Sequence, residues 1–119
     1  MTQMLVSITH AKDNRDKATI GFVVANAAAA SGVETAVFLT SEGVYLSQRE
    51  YNADIHEEGF QPLPALIESY VANGGQIWVC SPCFKRRGLA EEQLVAKAII
   101  TGAGKAVEFI ANGAGCISY

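Results

Sequence analysis

Cys80 and Cys83, separated by Ser81-Pro82 and followed by Lys85, Arg86, Arg87 and Gly88, are the residues of this chain whose types and spacing best suit covalent chemistry. A cysteine reacts as its thiolate, which is favoured by nearby positive charge and by the free backbone N–H groups that open a helix or turn. The apolar run Ile77-Trp78-Val79, entered from Gly74-Gly75, reads as a short buried strand that stops at Cys80. Ser81-Pro82 then suits a first helical turn, where proline's fixed φ and missing donor are tolerated. This arrangement predicts a reactive thiol at Cys80, with Lys85, Arg86 and Arg87 stabilising its anion. Plainer readings stand beside it. A cysteine ending an apolar strand is commonly inert packing, and the basic triplet can be a solvated turn in which Arg87 pairs with Glu91 at i,i+4. A second cysteine at CxxC spacing is harder to explain by packing alone.

The elements that must position these thiols alternate between strand and helix. Residues 4–8 read as a first strand ending at Thr9-His10. Asp13 or Asn14 can cap the helix that follows, in which Ala18, Gly21, Phe22, Ala25, Ala28 and Ala29 recur at helical spacing before Gly32. Residues 35–39 form a second strand. Residues 40–61 are too long for a structureless connection in a compact domain and predict a short helix or an ordered loop. Leu63, Leu66, Ile67, Tyr70 and Val71 mark an amphipathic helix. After the strand ending at Cys80, a short helix is expected over 90–95, a fourth strand over 98–101, a helix over 105–111 and a fifth strand over 116–119. Cys116 on that last strand is expected to be core packing, and His56 is expected in solvent.

Such alternation predicts a three-layer α/β/α sandwich around a five-stranded, mostly parallel sheet, with 1–119 as a single domain. Ligands of open parallel sheets bind outside the carboxyl ends of the strands. His10, Ser41, Glu42, Gly43, Tyr45, Cys80 and Gly102 all fall on that rim.

At 119 residues the chain is long enough for one buried core, and with half its residues hydrophobic and 18% charged it is no disordered segment. A net charge of −3 leaves no global footprint for nucleic acid or an anionic membrane surface. No apolar run approaches the ~20 residues of a membrane helix. Three cysteines, an odd count, without a secretory leader pattern predict a reducing cytoplasm rather than a disulfide framework.

Val79-Cys80 followed by Arg86-Arg87-Gly88 resembles the active-site segment of the DsrE/DsrF/TusD sulfur-relay proteins. Residues 37–40 with Gly43-Val44 are similar to that family's second strand and the loop after it. Ile100-Thr101-Gly102 and residues 104–111 are similar to its fourth strand and last helix. Ser81-Pro82-Cys83 departs from the small apolar residues usual after the family's cysteine. The resemblance implies a DsrE-like fold and a sulfurtransferase activity in which Cys80 carries sulfane sulfur as a persulfide, without a cofactor, and Cys83 is an accessory thiol that discharges it by forming an internal disulfide. It also implies persulfide-donor and acceptor proteins as partners and a homo-oligomer, a trimer or a hexamer.

Two other readings remain open at this stage. Cys-Ser-Pro-Cys after a strand also resembles the thioredoxin-like motif, which implies dithiol–disulfide redox chemistry by Cys80 and Cys83. A non-catalytic binding or assembly module with incidental cysteines is the third. A structural zinc site is not expected, since Cys116 with His10 or His56 lacks a second paired spacing. Gly102-Ala103-Gly104-Lys105 lacks the GxxxxGK[ST] spacing of a phosphate loop and reads as a tight turn.

Overall fold

The computed structural model describes residues 2–119. Its strands are β1 (Gln3–Ile8), β2 (Glu34–Leu39), β3 (Gln76–Cys80), β4 (Ala98–Thr101) and β5 (Gly115–Ser118), arranged β4-β3-β2-β1-β5 in one sheet. Every pairing is parallel, so the expected mostly parallel sheet is wholly parallel.

Parallel neighbours need crossovers, and the hand of those crossovers decides which face each helix covers. Helices α1 (Arg15–Ala30) and α3 (Leu63–Ala72) step the chain outward in one direction, from β1 to β2 and from β2 to β3, and therefore share a face. Short helices α2 (Arg49–Asn52) and α4 (Ser81–Arg86) lie within the connections. Helix α5 (Ala103–Ala111) reverses the direction, from the β4 edge back to β5 beyond β1, and covers the opposite face. Three layers result.

Side chains alternate accordingly. Val6, Ile8, Val37, Leu39, Ile77 and Val79 join Phe22 and Tyr70 in the larger core. Leu5, Ala36 and Trp78 meet Ala106 and Phe109 of α5 in the smaller one, where Trp78 and Phe109 pack edge to face at 5.1 Å. Burying each such side chain contributes ~1.5–3 kcal/mol. The hydroxyl of buried Tyr70 donates to the Gln76 carbonyl at 2.6 Å and lies 3.1 Å from that of Thr35, tying α3 to the starts of β2 and β3. Asn14 caps α1 by accepting from the Lys17 N–H at 3.1 Å, one of the two caps the sequence offered.

Residues 40–61 are ordered, as their length predicted. A 3-10 helix (Ser41–Ser47) leads into α2, and the segment buries Val44, Leu46 and Ile55. Asn52 locks it by donating to the Leu46 carbonyl at 2.7 Å. At Gly43 the segment presses onto the end of β1, where an added Cβ would sit 2.1 Å from the Ile8 carbonyl oxygen.

Two expectations are corrected. The helix expected over 90–95 is a single 3-10 turn, Glu91–Gln93. Its backbone groups are taken by tertiary bonds: Arg49 donates to the Glu92 and Leu94 carbonyls, and the Val95 N–H donates to the Ser47 carbonyl at 2.8 Å. Cys116 is exposed rather than core packing, because β5 is an edge strand that the apolar residues of α5 do not cover.

Gly43→Ala should lower stability by about 3 kcal/mol, since the obstruction is backbone and cannot swing away. It should appear as a lower urea midpoint with an unchanged slope. An unchanged midpoint would show that the turn after β2 is not held against β1.

Candidate functional site

β2 and β3 are neighbours in parallel register, Leu39 opposite Val79, so Thr40-Ser41 and Cys80-Ser81 leave the sheet side by side at its carboxyl edge. Cys80 is the N-cap of α4, with extended backbone, and Pro82 enters the first turn at no cost in hydrogen bonds. Cys83, three residues on, lies one helical turn from Cys80. The helix is stopped by Gly88 at φ +61, with the Gly88 N–H donating to the Lys85 carbonyl and the Leu89 N–H to the Phe84 carbonyl, a Schellman closure. A left-handed residue is needed there, and glycine supplies it. Arg87 therefore ends the helix as its C-cap and turns its guanidinium back, donating to the Cys83 carbonyl at 3.3 Å and to Glu42 at 3.2 Å. Its Cζ lies 5.9 Å from the ring centre of Tyr45.

The backbone of Ser41 is the unusual part. It holds φ +52, the left-handed region that a non-glycine residue enters at a cost of ~1–3 kcal/mol. Its N–H donates to the Cys83 sulfur at 3.4 Å.

Both thiols are half-buried, one helical turn apart, and each shifts the ionisation of the other, so they titrate as a pair. Burial pushes the Cys80 thiol up, and the adjacent Cys83 sulfur adds to this against the Cys83 N–H and Arg87. Burial also acts against ionisation of Cys83. There it is outweighed by the Cys80 S–H, the Ser41 N–H, Arg87 and Arg86 together, which hold Cys83 below the ordinary thiol range. The first thiolate of the pair thus rests on Cys83 and the remaining proton on Cys80. The sequence pointed to Cys80 for the thiolate; the neighbouring Cys80 thiol first, and then the Ser41 N–H from the loop after β2, favour Cys83 instead.

A cleft of about 370 Å³ opens beside Cys83, lined by Thr40, Ser41, Pro82, Arg86 and Arg87. Of the predicted cations, Arg86 and Arg87 reach it. Lys85 is exposed and does not line it. The expected Arg87–Glu91 pair is replaced by Arg87–Glu42, because the closure at Gly88 points Arg87 back toward β2. Gly43 serves packing, and Tyr45 stacks on Tyr51 with ring centres 5.0 Å apart. His10 does not line the cleft; its Nδ1 lies 2.7 Å from Asp13, whose carboxyl is held low by the Ala11 N–H and by His10. Gly102 follows Thr101, the register partner of Cys80, without lining the cleft. His56 is exposed, as expected. A larger cavity of about 430 Å³, against α3, shares no residue with the thiol cleft.

The model of the DsrE/DsrF-like family matches residues 3–119. The chain is 27% identical over 114 residues to the uncharacterized protein MJ0989 of Methanocaldococcus jannaschii, covering 96% of each. It is 30% identical over 90 residues to the uncharacterized protein MK0008 of Methanopyrus kandleri, covering 76% of this chain and 71% of that protein. Among solved structures, the ychN protein from E. coli superposes with a TM-score of 0.81 at 16% identity, covering 100% of this chain and 99% of that one. Protein MTH1491 from Methanobacterium thermoautotrophicum gives 0.74 at 17% identity, with 100% of each chain covered. The structural neighbours share the fold.

Removing the Arg87 charge disfavours the thiolate, so Arg87→Ala should move the pH midpoint of Cys83 alkylation upward, toward that of free cysteine. Lys85→Ala should leave it in place. The check is site-resolved alkylation rate against pH; a midpoint insensitive to Arg87 would mean that the guanidinium does not act on the thiol.

Proposed function

Because the chain belongs to the DsrE/DsrF-like family, we propose that it relays sulfane sulfur, carrying it as a persulfide on Cys80 and yielding it to a thiol of a partner protein. Membership of that family suggests the relay role. The observation that carries the finer reading is the pair of half-buried thiols at the start of α4, with the Cys83 sulfur accepting from the Ser41 N–H and lining a cleft with Arg86 and Arg87.

In this scheme the Cys83 thiolate takes the Cys80 proton, and the Cys80 thiolate attacks the outer sulfur of a donor persulfide. The new bond joins the Cys80 sulfur to the sulfane sulfur, the donor S–S bond breaks, and the donor leaves as a thiolate that recovers the proton from Cys83. An acceptor thiolate later attacks the outer sulfur and expels Cys80. No net oxidation occurs and no cofactor is needed. Proximity of Arg87 favours both the attacking thiolate and the persulfide anion.

Dithiol–disulfide exchange is the second reading, favoured by two half-buried free thiols one helical turn apart. The partners of the relay are donor and acceptor proteins in the cytoplasm; among the described residues no helix is long and apolar enough to cross a membrane. Exposed Ile99, Val107 and Ile110, on the thinly covered α5 side, support a homo-oligomer, for which the family resemblance implies a trimer or a hexamer.

Intact mass after reduced protein meets a persulfide donor tests this. Wild type should gain one sulfur atom, Cys80→Ser none, and Cys83→Ser the same atom several-fold more slowly near neutral pH. Undiminished loading of Cys80→Ser would contradict the assignment. Loss of two hydrogens, abolished by either substitution, would favour the redox reading.

A further inference from the structure

The cleft beside Cys83 has a charge pattern that the relay scheme leaves unused. Its two charged lining residues, Arg86 and Arg87, are both cations, and no carboxylate lines it. Arg87 is committed to Glu42 and to the Cys83 carbonyl. Arg86 is exposed, and among the described residues it takes part in no ion pair and no side-chain hydrogen bond, although it lies close enough to favour the Cys83 anion. Thr40 and Ser41 add hydroxyl groups and Pro82 an apolar wall. At about 370 Å³ the space is of the size that small molecules occupy.

A cation and a nucleophilic sulfur in one small cleft constrain the ligand in two ways. The ligand must bring an anionic group to Arg86 and a sulfur to the thiols at the same time, so the two must lie within a few bonds of each other. A guanidinium presents a planar fork suited to an oxyanion. We infer that this cleft is an anion-selective subsite admitting low-molecular-weight thiols and persulfides that carry a carboxylate close to the sulfur, with Arg86 holding the carboxylate while Arg87 stays with Glu42. The inference rests on the relay reading and adds a small-molecule donor or acceptor to its protein partners. The cleft presents that molecule's sulfur beside Cys83, one helical turn from Cys80, and the transfer step is unchanged, with the donor leaving as a carboxylate-bearing thiolate.

Iodoacetate and iodoacetamide form the direct probe, since they differ in one charge and alkylate through the same thiolate. Their rate ratio cancels thiolate fraction, which separates attraction of the ligand from acidity of the thiol. Cys116, exposed on β5 across the sheet, provides a reference within the same molecule. Read by peptide mass spectrometry, the iodoacetate-to-iodoacetamide ratio at Cys83 should exceed that at Cys116 by about three- to tenfold at low ionic strength. Arg86→Gln should reduce it to the Cys116 value, Arg86→Lys should retain most of it, and 1 M salt should shrink it, the screening length there being ~3 Å. Equal ratios at the two cysteines, or a ratio indifferent to Arg86→Gln, would overturn the subsite. If that happened while the protein still gained sulfur from a protein persulfide, the relay reading would stand without it. Preference for iodoacetate at Cys83 without sulfur gain from any donor would uphold the anion subsite and sink the relay.

Discussion

A thiolate at the carboxyl edge of a parallel sheet has to be stabilised by donors that the sheet itself puts in place, and here that donor is the Ser41 N–H reaching the Cys83 sulfur. The contact joins the loop after β2 to the helix after β3, so it exists only because these strands are neighbours in register, Leu39 beside Val79. Much of the surrounding structure serves to keep the loop there. Gly43 lets it lie against the Ile8 carbonyl, and Asn52 and buried Leu46 anchor its far end. The unfavourable left-handed backbone at Ser41 is sustained by that packing.

Charge at the site is balanced rather than accumulated. Burial opposes ionisation of both sulfurs, and only Cys83 gathers enough donors to overcome it. Arg87 is shared between the helix carbonyl, Glu42 and the thiols, which fixes its position while Glu42 tempers its field. Two thiols whose ionisations are coupled, one shifted up and one down, suit chemistry in which a sulfur must leave as readily as it attacks.

Much of this was legible in the sequence because it is local. The fourth strand lies at 98–101 as read, the third stops at Cys80, and the spacing of Leu63, Leu66, Ile67 and Tyr70 marks the buried side of α3. Arg-Arg-Gly could be read as a motif, but its physical reason is the left-handed Gly88 that turns Arg87 back. What escaped was non-local. Periodicity does not encode strand order, so it could not say that Ser41 would meet Cys83, that Glu42 rather than Glu91 would take Arg87, or that His10 would close on Asp13 and not line the cleft. Cys116 was misjudged for the same reason: an apolar-looking last strand became an exposed edge once α5 had settled over Leu5, Ala36 and Trp78.

The central claim is that Cys80 and Cys83 ionise as a coupled pair, with the first thiolate on Cys83. Ultraviolet absorbance of the thiolates, titrated against pH in a Cys116→Ser background, tests it most directly. Two separate steps should appear, one below and one above the ordinary cysteine value. Cys83→Ser should abolish the lower step, and Cys80→Ser should leave a single thiol at Cys83. Two thiols ionising together at the ordinary value, unaffected by loss of either neighbour, would contradict the account.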